Sequence, residues 1–135
     1  MDDARRTLLS ELIERLGYRF HDIGLLDTAL THTSYVKGEK RRVPHSERLE
    51  FLGDAVLETC VSRRLYDCAP PLAEGVMTRL RAMVVREEAL CVAARRLDVG
   101  PCLLLSRGEE HTQGRDKPSI LADALEAVIG AVFVD

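Results

Sequence analysis

No stretch of the chain is both long and apolar. Its 46% hydrophobic residues are interleaved with 30% charged ones, which excludes a membrane-spanning helix and sets the expectation of a water-borne domain. A secretory start is missing too: Met1-Asp2-Asp3 is acidic where a signal peptide carries positive charge, and a cytoplasmic location is the resulting expectation. The four cysteines, Cys60, Cys68, Cys91 and Cys102, form no Cys-x-x-Cys pair and have no histidines at zinc spacing. They read as reduced thiols in a core rather than as metal or redox groups. No segment alternates with the period of a strand, and no internal repeat is present. Glu-x-x-His pairs are also absent, which removes the helix-bundle di-iron oxidoreductases from consideration. At 135 residues there is room for one core, hence one domain.

What the chain does contain is helical periodicity. Leu9, Leu12, Ile13 and Leu16 form an apolar stripe that ends at Gly17, a helix stop, and Leu25, Leu26, Ala29 and Leu30 form a shorter one after a connection over Tyr18 to Asp22. A polar, basic segment from Val36 to Ser46 leads into a helix expected from near Ser46 to Tyr66, with Leu49, Leu52, Val56, Cys60 and Val61 facing inward. Pro70-Pro71 closes that region. Leu72 to Leu97 reads as two helices bent near Val85-Arg86. Cys102 to Leu105 follows as a short apolar turn or helix, and Gly108 to Lys117 as a polar loop. A last helix runs from Pro118 to about Val134, and its small-residue face of Ala124, Ala127, Gly130 and Ala131 suits close packing on another helix. The expected class is all-α.

Two of these helices carry acids inside apolar surroundings. Glu50 and Asp54 are four residues apart, Asp123 and Glu126 three apart, so each pair projects from one helix face. Their flanks are apolar: Leu49 and Phe51-Leu52 around the first pair, Leu121 and Leu125 around the second. Singly, each acid would pass for an exposed helix carboxylate. Two pairs on facing helices would instead build one site, and clustered, desolvated carboxylates persist only if protonated, paired with cations or filled by a hard divalent ion. Oxygen-only ligation points to Mg²⁺ or Mn²⁺.

The run Glu47-Arg48-Leu49-Glu50-Phe51-Leu52-Gly53-Asp54-Ala55 resembles the signature of the ribonuclease III family. Further elements of that family follow the same order. Ala29-Leu30-Thr31-His32 precedes the signature, Glu74-Gly75 with Thr78-Arg79-Leu80-Arg81 lies in the middle, and Ile120-Leu121-Ala122-Asp123 with Glu126-Ala127 stands near the end. The likeness covers about Leu16 to Asp135. It implies a dimeric helical endonuclease domain that hydrolyses double-stranded RNA with Mg²⁺, Mn²⁺ being the expected substitute. The products would carry 5′-phosphate and 3′-hydroxyl ends with a short 3′ overhang, and roles in rRNA and other RNA processing would follow. The candidate catalytic and metal residues are Glu50, Asp54, Asp123 and Glu126. Glu47 and Glu74 fall at acidic family positions with secondary expectations: support of the ligands, a transient extra metal, or positioning of the RNA backbone.

Phe51 matches an aromatic that inserts into the partner subunit in the family, so the resemblance implies a homodimer; ordinary core packing is the competing reading. His32 is expected to be a hydrogen-bonded structural histidine. His21-Asp22 superficially matches HD-type phosphohydrolases but sits in a loop without the other ligands. Val76 departs from the family, which usually has another acid after Glu74-Gly75. Residues 1–135 are expected to form the catalytic domain, ending before the family's remaining C-terminal helical segment, with the double-stranded-RNA-binding domain absent. That absence would lower affinity for RNA. A weakly active or inactive RNA-binding scaffold of the same fold is the alternative function.

Net charge is −3, an unpromising value for a protein that meets a polyanion. Setting aside the six acids Glu47, Glu50, Asp54, Glu74, Asp123 and Glu126 turns −3 into +3. Three basic runs remain as candidate phosphate contacts: Lys37 with Lys40, Arg41 and Arg42; Arg79, Arg81 and Arg86; Arg115 with Lys117. Solvated surface is the plainer reading of each.

Overall fold

The computed structural model describes residues 1–37 and 43–135. Eight α-helices account for most of them: α1 Asp3–Leu16, α2 Ile23–Ala29, α3 Thr33–Val36, α4 Glu47–Tyr66, α5 Glu74–Val85, α6 Glu87–Arg96, α7 Arg107–His111 and α8 Pro118–Val134. Short 3₁₀ turns occupy Gly100–Cys102 and Gly114–Asp116. Among the described residues the sole β-type pairing is an isolated parallel bridge between Thr31 and Leu104.

Local chemistry places the helix ends. The Asp2 carboxylate accepts from the Arg5 N–H to cap α1, and Gly17 closes that helix with φ +66, a conformation that favours glycine. Asp22 caps α2 through Gly24 N–H at 2.8 Å. The polar stretch read as a loop between Gly108 and Lys117 holds structure instead: Ser106 caps α7 through Glu109 N–H, and Gly114–Asp116 makes a 3₁₀ turn. Short helices of this kind rest on capping bonds rather than on apolar periodicity, so the pattern of hydrophobic residues does not reveal them.

The core gathers around α8. Leu121, Ala124, Leu125, Ala127, Val128 and Ala131 are all buried there, beside Leu9 and Leu12 of α1, Leu26 and Leu30, and Leu90 and Ala94 of α6. A helix apolar nearly all round belongs in the centre of a domain. Its outer end is tied down by Asp135, whose carboxylate accepts from the backbone N–H groups of His21 and Asp22 at 2.8 Å and from the Tyr18 hydroxyl at 3.0 Å. Those donors hold the Asp135 carboxyl well below the usual carboxylate range. His21 and Asp22 thus serve an interhelical tie rather than an HD-type site.

Helix α4 packs differently from its expected pattern. Gly53 is its one buried residue, Leu49 and Leu57 are partly buried against the core, and Cys60, expected to face inward, is exposed. The reason is geometric. α4 meets α8 along a narrow stripe, and its opposite flank is left open. Phe51 is 83% exposed, which removes it from the monomer core, and Tyr66, Met83 and Val84 add apolar surface on α4 and α5. Cys91 and Cys102 are buried free thiols, Cys68 is half-buried, and burial pushes the Cys102 thiol up.

Candidate metal centre

Two glycines set the distance between the helices that carry the acids. A Cβ on Gly53 would stand 1.7 Å from the carbonyl oxygen of Glu126, and one on Gly130 would stand 2.2 Å from the carbonyl oxygen of Leu49. No other residue type permits backbones this close. The contact brings the Glu50 turn of α4 over the Asp123–Glu126 turn of α8.

There, one carboxylate oxygen from each of Glu50, Asp123 and Glu126 lies within 4.8 Å of the others. Asp54 falls outside that group. It is exposed one turn beyond Glu50, and its charge bears on both Glu50 and Glu126, on Glu126 more than the charges of Asp123 and Glu50 do. A cavity of about 300 Å³ adjoins the triad, lined by Glu47, Glu50 and Asp123 with His32, Thr33 and Ser46.

The electrostatics are those of acids crowded without a counter-charge. Burial, then the charges of Asp54, Asp123 and Glu50, push the Glu126 carboxyl up to about 7. Burial and the neighbouring Asp123, Glu47 and Asp54 raise Glu50; burial and Glu87 raise Asp123, while His32 acts in the opposite direction. Such a set fits a hard divalent cation: the groups are oxygens, close together, with Glu50 and Glu126 half-buried and Asp123 exposed, and a positive ion would relieve the repulsion that lifts their pKa values.

The remaining candidates are dispersed. Glu47 lines the cavity with its side chain 60% exposed. Glu74 stands elsewhere, in a groove between α4 and α5 with Glu58, Ser62, Tyr66 and Arg81, where its carboxylate accepts from Thr78 Oγ1 at 2.7 Å. Arg115 and Lys117 are occupied internally: Arg115 donates to the carbonyls of Gly100 and Pro101 and pairs with Glu110, and Lys117 pairs with Glu109 at 2.7 Å. That run is structural, not a free phosphate site. Arg81 donates to Ser62 Oγ, Arg86 lies 3.8 Å from Glu88, and Arg79 is exposed. Lys37 is exposed, while Lys40, Arg41 and Arg42 lie outside the described residues. Glu87, unremarked in the sequence because it sits at an ordinary helix start, contributes charge at Asp123.

An all-helical domain in which two helices crossed at glycines bring three acids together beside a cavity has counterparts among known proteins. The chain belongs to the ribonuclease III-like family, whose model matches residues 22–135. It is 50% identical over 136 residues to ribonuclease 3 of Pelotomaculum thermopropionicum, covering 100% of this chain and 56% of that protein. With ribonuclease 3 of Natranaerobius thermophilus it shares 52% over 124 residues, 92% of this chain and 54% of the other. The chain therefore spans about half the length of these relatives. The nuclease domain of ribonuclease III from Campylobacter jejuni superposes with a TM-score of 0.84 at 44% identity, covering 92% of this chain and 83% of the other, and its description refers to a region involved in dimer formation. No helix among the described residues is long and apolar enough to cross a membrane.

Proposed function

We propose that residues 1–135 form the catalytic module of a double-stranded-RNA endonuclease that leaves 5′-phosphate and 3′-hydroxyl ends with a short 3′ overhang. The observation that carries this reading is the meeting of Glu50, Asp123 and Glu126 within 4.8 Å on two crossed helices, in a chain of the ribonuclease III family. These three would hold a divalent cation, Mg²⁺ or in its place Mn²⁺, with Asp54 completing the acid set from the exposed flank. When bound, the cation supplies an activated water and neutralises charge developing on the phosphate.

The chain's own groups do the rest. Glu126, half-protonated near neutrality by its surroundings, must release its proton for the site to load, so loading is favoured above about pH 7. Glu47, on the cavity wall, and Glu74, in the α4–α5 groove, act outside the ligand set on the approach of the RNA backbone. Phe51 is placed for a partner: an aromatic 83% exposed beside the acid helix face supports a homodimer closed by this residue. Two sites in such a dimer, one per strand, account for a staggered cut. A duplex is read through its phosphates, 2′-hydroxyls and shape, so broad sequence tolerance follows. Kinship with the ribonuclease 3 relatives also supports processing of rRNA and other RNA in the cytoplasm.

The deciding experiment incubates the chain with a long RNA duplex and Mg²⁺ at low salt and analyses product ends. Cleavage confined to RNA duplex, with single strands and DNA duplex intact, is the expected result. Duplex binding with no new 5′-phosphate ends at any Mg²⁺ concentration would show a binding scaffold instead.

A further inference from the structure

His32 lines the same cavity as Glu47, Glu50 and Asp123, and its ring is held by hydrogen bonds at Nδ1. Its backbone is pinned on two sides. His32 N–H donates to Leu104 O at 3.0 Å, and the preceding carbonyl, Thr31 O, accepts from Ser46 N–H at 2.9 Å. On the ring, Nδ1 accepts from Ser34 N–H at 3.2 Å and lies 2.8 Å from Ser34 Oγ, which itself accepts from Ser106 N–H at 3.1 Å.

A backbone N–H can only donate, so Nδ1 presents its lone pair to Ser34 and the ring proton resides on Nε2. His32 lines the cavity, and among the described residues its Nε2 makes no hydrogen bond, which leaves that edge free to donate. The acidic groups on the cavity walls, Glu47, Glu50 and Asp123, repel a phosphodiester. Beside the Thr33 and Ser46 hydroxyls, a ring N–H donor at that wall can hold an anionic oxygen there without competing for a cation.

Resting on the nuclease reading above, we propose that His32 is a substrate-positioning residue whose Nε2–H donates to a non-bridging oxygen of the RNA phosphate entering the acid cavity. The role of His32 as a cap of α3 is separate, because capping uses Nδ1 alone.

Two substitutions divide the roles. His32→Asn keeps an acceptor near Nδ1 for the Ser34 cap but cannot reach the Nε2 position, whereas His32→Gln places an amide N–H near Nε2. With unchanged thermal stability, His32→Asn should lower kcat/KM on a long RNA duplex by roughly 10-fold or more, the scale of one hydrogen bond to a charged group, and His32→Gln should recover most of it. Mn²⁺ affinity, measured on the protein alone by electron paramagnetic resonance, should be the same in all three. Wild-type turnover by His32→Asn overturns the proposal, since a cap alone would then suffice. Mn²⁺ binding that weakens in step with activity also overturns it, because the ring would then be serving Asp123. If the unsubstituted chain cuts no duplex, the nuclease reading falls separately, and duplex affinity by gel shift decides: a roughly 10-fold weakening in His32→Asn upholds the phosphate contact, and equal affinity removes it.

Discussion

The carbonyl oxygen of Glu126 sits 1.7 Å from where a Cβ on Gly53 would be, so the glycine of α4 and the acid of α8 share one point of helix contact. The spacing of the three clustered acids is therefore set by a backbone contact, and it can be disturbed without touching any of them.

Gly53→Ala should force α4 from α8, because the clash is with backbone that has no rotamer to change. A cost of at least about 3 kcal/mol is expected, the upper range for overpacking. For a chain of this size that is a drop of roughly 10 °C in Tm, read by thermal denaturation. An unchanged Tm would mean the helices part more easily than their packing suggests.

Glu126→Gln keeps the shape of the side chain and removes its charge. Fold and assembly should be retained while Mg²⁺-supported cleavage of duplex RNA is lost, with partial return in Mn²⁺, which tolerates neutral ligands better. Turnover near that of the unsubstituted chain would take Glu126 out of the ligand set.

The stability of the metal-free protein should depend on pH in a definite direction. Glu126 has a carboxyl of about 7 in the fold against 4.5 unfolded, so the fold holds the proton more tightly than the unfolded chain does. Its contribution is fully present below pH 4.5 and is lost as pH rises through 7. Glu50 and Asp123 are raised too and act in the same sense, while Asp135, which is lowered, has its effect at more acid pH. Denaturation in the presence of a chelator should show Tm falling across that window, and Mg²⁺ or Glu126→Gln should flatten the slope. A Tm that climbs with pH over the same range contradicts the crowding of these acids.

Phe51→Ala should weaken dimer association and leave the monomer fold nearly untouched, since the ring is 83% exposed in the single chain. Burial of one aromatic at an interface is worth about 3 kcal/mol, or roughly 100-fold in the dimer constant, measurable by sedimentation equilibrium. An equal constant for both proteins would place the interface elsewhere.

The long helices and both acid pairs were legible in the chain because each is written locally: apolar periodicity marks α1, α4, α6 and α8, Gly17 and the break at Arg86 mark ends, and the three- and four-residue spacings put each pair of acids on one face. Spacing within a helix says nothing of the distance between helices. That only Glu50, Asp123 and Glu126 meet, with Asp54 outside, was decided by how closely Gly53 and Gly130 let two backbones approach. The tertiary structure alone likewise turned Cys60 outward, moved Glu74 into a separate groove and spent Arg115 and Lys117 on internal ion pairs. It brought His32 to the acid cavity by a backbone bridge between segments more than seventy residues apart in sequence, Leu30–His32 and Leu104. Periodicity and capping act over a few residues and are encoded there; the convergence of charges depends on long-range packing, which a local pattern does not specify.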